Sequence, residues 1–351
     1  MKELSVSSPG RICLFGEDVD YMRLEVITMA INQRIEIKGK VTNDGIIRIN
    51  LSDYNKKIKF SNQKQKIKTK RDYIASAFNL YYEELPSNFG VKMNVSSNLP
   101  IGKGLSSSSA FVSALVAFFD RAAGLDSSNH ELARKAYQAE VVNMGEPGGI
   151  MDHFASIMGG IIYLECSEPY KCEILDLDLK GLVIGDTLKR KETVETLIVR
   201  KREIESGIRE MINYDDSFNI MTYTLNEVKE LYNKKKSVNV KRLLGILGIR
   251  DVVREGYAIL KSKDINKRKI ANLINKHHKF QSEYFENVTE KMQELIDISK
   301  KNGALGCKLL GSGNGGSFLA FAPGREDEVI KAIQAGGGGA YKVRKDKGLS
   351  F

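Results

Sequence analysis

The sequence predicts an α+β protein made of two lobes, and three observations lead to this prediction. The chain has 351 residues, a length that usually divides into two compact units. Strand-like segments dominate its first third, whereas long charged helical segments dominate its second half. Strand-like segments then return around a glycine-rich turn. Because helices and strands occur in both halves, we expect helices packed on mixed sheets, with lobes at 1–182 and 183–351.

The first half of the chain alternates strands with helices. β-rich composition and turn residues such as Asn43-Asp44-Gly45 predict the strands, and hydrophobic spacing predicts the helices. In order, we expect strands at 11–15, 34–41 and 46–51, a helix at 72–84, a strand at 90–95, helices at 107–124, 128–144 and 150–158, and a strand at 161–165.

The second half is more helical. Charged amphipathic stretches at 190–212, 218–235 and 287–301 are typical of helices with one face packed on a sheet. The segment 303–321 predicts a strand, a turn and a strand, and a helix at 326–335 and a strand at 341–344 follow it.

Composition excludes several classes of protein. The chain is 42% hydrophobic and 28% charged, as soluble globular proteins are. No apolar run is long enough to span a membrane, and the N-terminus has no apolar signal core, so we expect a cytoplasmic protein without a membrane partner. The four cysteines form no Cys-x-x-Cys pair and the four histidines have no metal-ligand spacing, which argues against a zinc site or a redox pair.

The net charge of +10 raises the alternative of a nucleic-acid partner. Basic residues cluster at 56–71, but few aromatic residues accompany them and no nucleic-acid motif is present. We therefore interpret this cluster as a solvated hairpin face and expect no nucleic-acid partner.

A glycine- and serine-rich segment at 99–110 precedes the apolar helix expected at 107–124. Glycine lets the backbone approach a ligand, and the free N–H groups of a helix N-terminus attract anions. The segment therefore suits a magnesium-bound phosphate chain, although capping of a buried helix is the simpler alternative. It is not the common G-x-x-x-x-G-K phosphate loop, because Gly104 follows Lys103.

Three further segments carry candidate ligands. The segment 9–21 places three carboxylates and Tyr21 at a strand end, where they suit a ligand rich in hydroxyls, a cation, or only a surface turn. Glu140 and Asp152 suit a metal and a hydroxyl proton, or are solvated helix carboxylates. The segment 311–316 matches G-x-G-x-x-G, but a strand rather than a helix follows it, which disfavours a nicotinamide cofactor.

Taken together, these segments resemble the three characteristic motifs of the GHMP kinase family, which includes galactokinase, homoserine, mevalonate and phosphomevalonate kinases. Residues 9–21 resemble the first motif, 99–110 the second and 308–316 the third, so the resemblance spans nearly the whole chain. Gly16-Glu17-Asp18-Val19-Asp20-Tyr21 is similar to the galactokinase signature Gly-Glu-His-Thr-Asp-Tyr. Gly149-Ile150-Met151-Asp152 resembles the galactokinase segment Gly-Ile-Met-Asp.

The resemblance implies a two-lobed GHMP kinase architecture, with a ribosomal-S5-like N-terminal lobe and a ferredoxin-like C-terminal lobe around the active site. ATP and Mg²⁺ are the implied cofactors. The implied nucleotide-binding residues are Pro100, Gly102, Lys103, Gly104, Leu105, Ser106, Ser107, Ser108 and Ser109. The implied substrate-binding residues are Glu17, Asp18, Asp20, Tyr21, Gly149 and Asp152. The implied loop closing over the substrate is Gly311, Ser312, Gly313, Asn314 and Gly315.

The resemblance also assigns the chemistry. Ser108 and Glu140 are the implied magnesium ligands. Asp152 is the group implied to orient or deprotonate the attacking hydroxyl, and Arg11 beside it favours the ionised carboxylate and stabilises developing charge. Phosphoryl transfer depends mainly on such positioning and charge neutralisation.

Several positions depart from the galactokinase pattern. Asp18 replaces a histidine, Val19 a threonine, and His153 the glutamine after the catalytic aspartate. An added carboxylate argues against an acidic substrate, unless Lys189 or Arg190 reaches the site. Lys103 is an unusual charge in the second motif, and contact with phosphate and exposure to solvent are both open for it.

These observations predict an ATP-dependent kinase acting on a hydroxyl, the anomeric one by resemblance, of a small sugar or polyol. One alternative is a mevalonate- or homoserine-type kinase, whose acidic substrate the cluster of Glu17, Asp18 and Asp20 should repel. Another is a sugar sensor that resembles the kinase without turnover. We expect a monomer or a homodimer.

Overall fold

The computed structural model describes residues 2–189, 193–262 and 266–351. Within them the chain forms a seven-stranded sheet and a four-stranded sheet. The strands are β1 (Glu3–Phe15), β2 (Glu25–Thr42), β3 (Ile46–Leu51), β4 (Lys56–Ser61), β5 (Gly90–Ser97), β6 (Ile161–Glu165), β7 (Lys171–Leu175), β8 (Leu182–Asp186), β9 (Gly306–Leu309), β10 (Ser317–Phe321) and β11 (Gly339–Val343).

Helices cover both sheets. In chain order they are α1 (Tyr73–Asn79), α2 (Ser107–Ala122), α3 (Asn129–Tyr137), α4 (Met151–Met158), α5 (Thr193–Tyr214), α6 (Leu225–Lys235), α7 (Val238–Leu260), α8 (Lys267–Phe280), α9 (Glu290–Lys301) and α10 (Glu326–Ala335). A π-helical turn, Gln138–Val142, extends α3, and another, Gln281–Phe285, extends α8. No helix among the described residues is long and apolar enough to cross a membrane.

The long strand β2 organises the larger sheet. One edge of β2 pairs with β1, and the other edge pairs with β6 near its start and with β5 near its end. Its first seven residues, 25–31, are buried, and α2, α4 and α7 pack against β2. Helices α2 and α4 pack on β1 and β2, so the end of β1 and the start of α2 and α4 lie within one region of the molecule.

The smaller sheet is antiparallel, with strand order β11-β8-β10-β9. When the four strands are numbered in chain order within this lobe, their order across the sheet is fourth, first, third, second. Helices α8, α9 and α10 pack against the sheet. That arrangement is the ferredoxin-like topology that the sequence resemblance implies. The expected two-lobed α+β architecture is therefore confirmed.

The C-terminal residues return to the larger sheet after β11. Isolated bridges join Lys345 to Ile31, Lys347 to Gly159 and Ser350 to Ser7. The guanidinium of Arg34 binds these C-terminal residues. It donates to the Asp346 carboxylate at 3.0 Å and to the backbone carbonyls of Lys347 and Gly348. The last strand of the larger sheet ends at Leu175 and the smaller sheet begins at Leu182, while the division at 182 and 183 remains a prediction.

Several predicted bounds differ from the structure. Strands β1 and β2 begin eight and nine residues earlier than expected, because β1 continues through Pro9 with an irregular register there. Helix α1 ends at Asn79 instead of 84, and α6 begins at Leu225 instead of 218. The expected start of the helix at 190–212 lies outside the described residues.

The packing of two helices and the set of predicted elements need correction. Helices α5 and α6 pack on α7 and not on a sheet, whereas α9 packs on β9 and β10 as expected. Helices α7 and α8 and strands β4, β7 and β8 were not among the predicted elements. Strand β4 pairs with β3, so the basic segment does begin as a hairpin.

Candidate active site

A cavity of about 290 Å³ brings together most of the residues singled out in the sequence. It lies where the end of β1, the loops before α2 and α4, the π-helical turn after α3 and the loop between β9 and β10 meet. The predicted residues that line it are Arg11, Glu17, Asp18, Asp20, Tyr21, Gly102, Gly104, Ser106, Ser107, Ser108, Ser109, Glu140, Gly149, Asp152, Gly311 and Ser312.

Asp152 is held in this cavity by hydrogen bonds to both of its carboxylate oxygens. It lies in the first turn of α4, where Arg11 Nε donates to its Oδ1 at 2.7 Å and Ser106 Oγ donates to its Oδ2 at 2.5 Å. Burial opposes ionisation, but Arg11 and the two hydrogen bonds outweigh it and lower the pKa of Asp152 below its usual value. Asp152 is therefore ionised at neutral pH, and hydrogen bonds to both of its oxygens orient it.

The loop before α2 exposes backbone N–H groups to the cavity. Gly102 and Gly104 have positive φ, and Ser106 itself takes the left-handed conformation at the helix N-terminus. Ser106 occupies the N-cap position, but its side chain makes no cap hydrogen bond, because its hydroxyl donates to Asp152. The first-turn N–H groups of α2 consequently face the cavity without a side-chain acceptor, which suits an anion.

Three residues of this loop do not line the cavity. The Leu105 side chain is buried, and its carbonyl accepts the backbone N–H of Arg11 at 3.2 Å. Lys103 Nζ pairs with Asp186 Oδ2 at 2.9 Å, so in this structure it neither points to solvent nor reaches the phosphate region. Pro100 is half-buried outside the cavity.

Glu17 is occupied by partners within the protein. Lys308 Nζ lies 2.6 Å from its Oε1 and 2.5 Å from its Oε2, and both side chains are fully buried. Burial raises the pKa of Glu17, and the ammonium of Lys308 opposes that rise. Although Glu17 lines the cavity, its charge is neutralised, which differs from the expected free acceptor for substrate hydroxyls.

Asp18 is also paired. Arg200 of α5 places its Nη1 3.4 Å from Asp18 Oδ2, and the Tyr21 hydroxyl lies 3.3 Å from Oδ1. Arg200 also donates to the carbonyls of Ser312 and Phe285, so it connects the first motif with the glycine-rich loop. Because Asp18 and Glu17 both have a cationic partner, the expected repulsion of an acidic substrate by three carboxylates is weakened.

Asp20 has no ion pair among the described residues. Burial, followed by the nearby Asp152 charge, raises the pKa of Asp20 to about 7. Gly149 lies directly against it, since a Cβ on Gly149 would stand 2.1 Å from Asp20 Oδ2. This contact leaves Asp20 and the Gly149 backbone side by side at the cavity wall.

Glu140 and Ser108 present hard oxygen ligands to the same cavity. The π-helical turn directs Glu140 inward, where His153 Nε2 lies 2.7 Å from its Oε2 and leaves Oε1 without a hydrogen bond. The described residues contain no cluster of three or more histidine, cysteine or acidic side chains that would hold a metal alone. One carboxylate and one hydroxyl suit Mg²⁺ that takes its remaining ligands from phosphates and water.

Only the first part of the glycine-rich loop reaches the cavity. Gly311 and Ser312 line it, while Gly313, Asn314 and Gly315 do not. Asn314 instead donates its backbone N–H to the Asn287 carbonyl at 2.8 Å and its side-chain amide to Thr196.

A second cavity of about 300 Å³ adjoins the first. It is mostly apolar, and Ile35, Val95 and Phe111 are among its lining residues. Four residues line both cavities: Arg71, Ile101, Ser107 and Ser108. An apolar chamber therefore opens beside the N-terminus of α2.

Sequence reasoning missed Arg200, Lys308, Leu197 and Arg71. Leu197 of α5 lines the first cavity, and Lys308 was noted only as the start of the third motif. Arg200 and Lys308 have partners far away in the chain, so no spacing rule identifies these two residues. Lys189 is exposed, and Arg190 lies outside the described residues.

Comparisons with known proteins agree with this architecture. Residues 72–160 match the GHMP kinases N terminal domain, 259–339 the GHMP kinases C terminal domain, and 2–40 the galactokinase galactose-binding signature. Together these segments cover more than half of the chain.

Similar curated proteins include mevalonate kinases and galactokinases. A mevalonate kinase of Thermococcus sibiricus is 28% identical over 95% of this chain and 93% of its own length. A galactokinase of Thermococcus kodakarensis is 29% identical over 93% of this chain and 91% of its own length.

Solved structures share the fold. Lactococcus lactis galactokinase, solved with galactose, has a TM-score of 0.87 at 20% identity and covers 99% of this chain and 95% of its own. Methanococcus jannaschii mevalonate kinase has a TM-score of 0.72 at 23% identity and covers 99% of each chain.

Proposed function

The chain belongs to the GHMP kinase family and is a small-molecule kinase, and from this premise we propose that it phosphorylates a small sugar or polyol. The phosphoryl donor is ATP with Mg²⁺, and the acceptor is the anomeric hydroxyl. The observation that carries the proposal is the shared cavity of Asp152, held by Arg11 and Ser106, the exposed N-terminus of α2, and Asp20 beside Gly149.

The proposed reaction uses each of these groups. The acceptor hydroxyl lies against Asp152, which takes its proton as the oxygen attacks the γ-phosphorus and the bond to the β-phosphate oxygen breaks. Arg11 keeps Asp152 ionised before transfer and stabilises negative charge near the acceptor. The N–H groups at the start of α2 bind the phosphate chain.

Each of the two joined cavities suits a different part of the proposed ligands. The apolar cavity suits a nucleotide base, and the shared residues Ser107 and Ser108 lie where its phosphates enter the first cavity. Ser108 and Glu140 would hold Mg²⁺, which would neutralise phosphate charge during transfer. Asp20 and the Gly149 backbone suit the hydroxyls of the acceptor.

A mevalonate-type kinase is the second candidate, favoured by the curated mevalonate kinase relatives. Pairing of Glu17 and Asp18 with cations weakens the charge argument against an acidic substrate. The match of residues 2–40 to the galactose-binding signature supports the sugar instead. A sensor without turnover is disfavoured, because Asp152 keeps its orienting partners Arg11 and Ser106.

A coupled assay of ADP release tests the proposal. The panel holds galactose, arabinose, N-acetylgalactosamine, glucuronate, galacturonate, mannoheptose, inositol, mevalonate and homoserine, each with MgATP. We expect strong turnover with a sugar or polyol, and loss of that turnover in Asp152→Asn. A selective response to mevalonate or homoserine would contradict the proposal and support the second candidate. Sugar and ATP binding without ADP release would support the sensor.

A further inference from the structure

A third cavity borders the proposed substrate site on the side of Asp20 and Gly149. Its volume is about 510 Å³, larger than that of the first cavity. Asp20, Tyr21, Gly148 and Gly149 line both cavities and form their common boundary. We call this third cavity the outer cavity.

The outer cavity contains two cations that the protein does not neutralise. Arg23 follows the short helical turn at Asp20–Met22, and Lys201 comes from α5. Neither side chain makes a hydrogen bond or an ion pair with any residue that the structure describes. Tyr137 and Tyr170 supply aromatic walls.

Negative charge around the outer cavity is limited. Glu168 lines the outer cavity, and its Oε1 lies 3.6 Å from Nη2 of Arg134, a cation outside the cavity. Asp20 stands on the boundary, and its pKa of about 7 leaves it partly protonated at neutral pH. Arg23 and Lys201 are therefore two cations of the outer cavity whose charge no ion pair among the described residues offsets, which favours an anionic occupant.

The position of the cations matters as much as their charge. Arg11 and the α2 N-terminus lie with Asp152 in the first cavity, whereas Arg23 and Lys201 lie beyond Asp20. A group bound by these two cations would therefore be remote from the transferred phosphoryl group. A substrate that reaches both cavities must carry its anion at its non-reacting end.

We propose that the outer cavity receives an anionic substituent, a carboxylate or a phosphate, at the non-reacting end of the sugar, with Arg23 and Lys201 as its counter-ions. This inference rests on the proposed sugar kinase function and narrows its substrate class to acidic or phosphorylated sugars. A neutral monosaccharide would fill the first cavity and leave the outer cavity to water.

Matched substrate pairs test this inference. ADP release is measured for galactose against galacturonate, glucose against glucuronate, and each neutral sugar against its 6-phosphate. We expect at least one anionic member to exceed its neutral partner at least tenfold in kcat/KM, mainly through a lower KM. In the double variant Arg23→Gln/Lys201→Gln this ratio should fall towards one. Arg202→Gln, which removes an exposed charge from the next position of α5, should keep the wild-type ratio.

Three outcomes would overturn the inference. Turnover of neutral sugars with no gain for any anionic partner would remove it and leave the proposed function intact. Stimulation of neutral-sugar turnover by added inorganic phosphate, without preference for an anionic sugar, would assign the outer cavity to a separate effector. Absence of ADP release with every sugar would contradict the proposed function itself.

Discussion

At the scale of single residues, the carboxylates that line the cavity differ in their partners within the protein. Three of them have a cation within the protein, in the pairs Arg11 with Asp152, Lys308 with Glu17, and Arg200 with Asp18. Asp20 has none among the described residues, and its raised pKa follows from that difference. A ligand that binds its carboxyl group therefore displaces no ion pair among the described residues.

Asp152→Asn should separate chemistry from nucleotide binding. The variant keeps the shape of the side chain but removes the proton acceptor beside Arg11. Loss of a general base lowers kcat by roughly 10²–10⁴-fold. Steady-state kinetics should show this fall, while titration with a fluorescent ATP analogue should show affinity near that of the wild type. Asp126→Asn, at an exposed carboxylate, is the control, and near-normal turnover of the Asp152 variant would refute the assignment.

Asp20 should make the protein less stable as pH rises. Its pKa is about 7 in the folded state and about 4 when unfolded, so the folded state holds its proton more tightly. Stability from this group is fully present below pH 4 and is lost as pH rises through 7, up to about 4 kcal/mol. Asp20→Asn should thus melt above the wild type at pH 8 and close to it at pH 4.5, while sugar turnover is lost. Equal melting temperatures at pH 8 would argue against a buried, unpaired carboxylate.

The candidate site was predictable residue by residue only where its residues lie within motifs. Arg11, Asp152 and the serines at 106–109 stand in segments whose composition is itself unusual, and the structure brings them together. Lys308 and Arg200 could not be assigned as partners of Glu17 and Asp18, because 291 and 182 residues separate the members of these pairs. Their pairing is a property of lobe packing.

At the scale of elements, two helices were not predicted: α7, which has almost no polar face, and α8, which has one buried and one exposed face. Most of α7 is buried, and rings of Phe285, Phe280 and Phe15 pack against its glycines at 245, 248 and 256. Without an exposed face, the amphipathic pattern that predicts surface helices is absent. The predicted start of strand β1 is too late for a different reason. Pro9-Gly10 is typical of a break in a strand, but here it lies at an irregularity within the β1–β2 pair.

The loop before α4 should tolerate a methyl group at one glycine and not at its neighbour. A Cβ at Gly149 would stand 2.1 Å from the Asp20 carboxylate, whereas a Cβ at Gly148 would meet Val141 at an ordinary 3.5 Å. Gly149→Ala should displace Asp20 and raise KM for the acceptor at least tenfold, with a smaller change in KM for ATP. Gly148→Ala should change both values by less than threefold. Similar kinetics for the two variants would contradict a specific contact between Gly149 and Asp20.

At the scale of the whole molecule, ion pairs join the two lobes around the cavity. Lys308 of β9 reaches Glu17 after β1, Arg200 of α5 reaches Asp18, and Lys103 reaches Asp186 of β8. The relative position of the lobes is thus linked to the side chains that line the site. Changes at these pairs should affect stability as well as activity.

Lys308→Met should destabilise the protein strongly, because it leaves the Glu17 charge buried without a partner. Removal of one member of such a pair costs about 3–5 kcal/mol. Replacing both residues, in Lys308→Met/Glu17→Met, should recover much of the loss in urea midpoint. As a control, Lys342 lies on the same sheet as Lys308 and forms an exposed ion pair with Asp327. Lys342→Met should lower the free energy of unfolding by less than about 1 kcal/mol. Additive losses in the double variant would show that the two buried charges are not coupled.

The returning C-terminal residues have a consequence for the order of events during translation. The larger sheet is composed of strands that end at Leu175, yet Ser7, Ile31 and Gly159 find their bridging partners between 345 and 350. A ribosome adds about 5–20 residues per second, so the first lobe waits on the order of ten seconds for these partners. During that interval the guanidinium of Arg34 lacks its Asp346 acceptor. The nascent first lobe therefore lacks these three bridges until the C-terminal residues are synthesised.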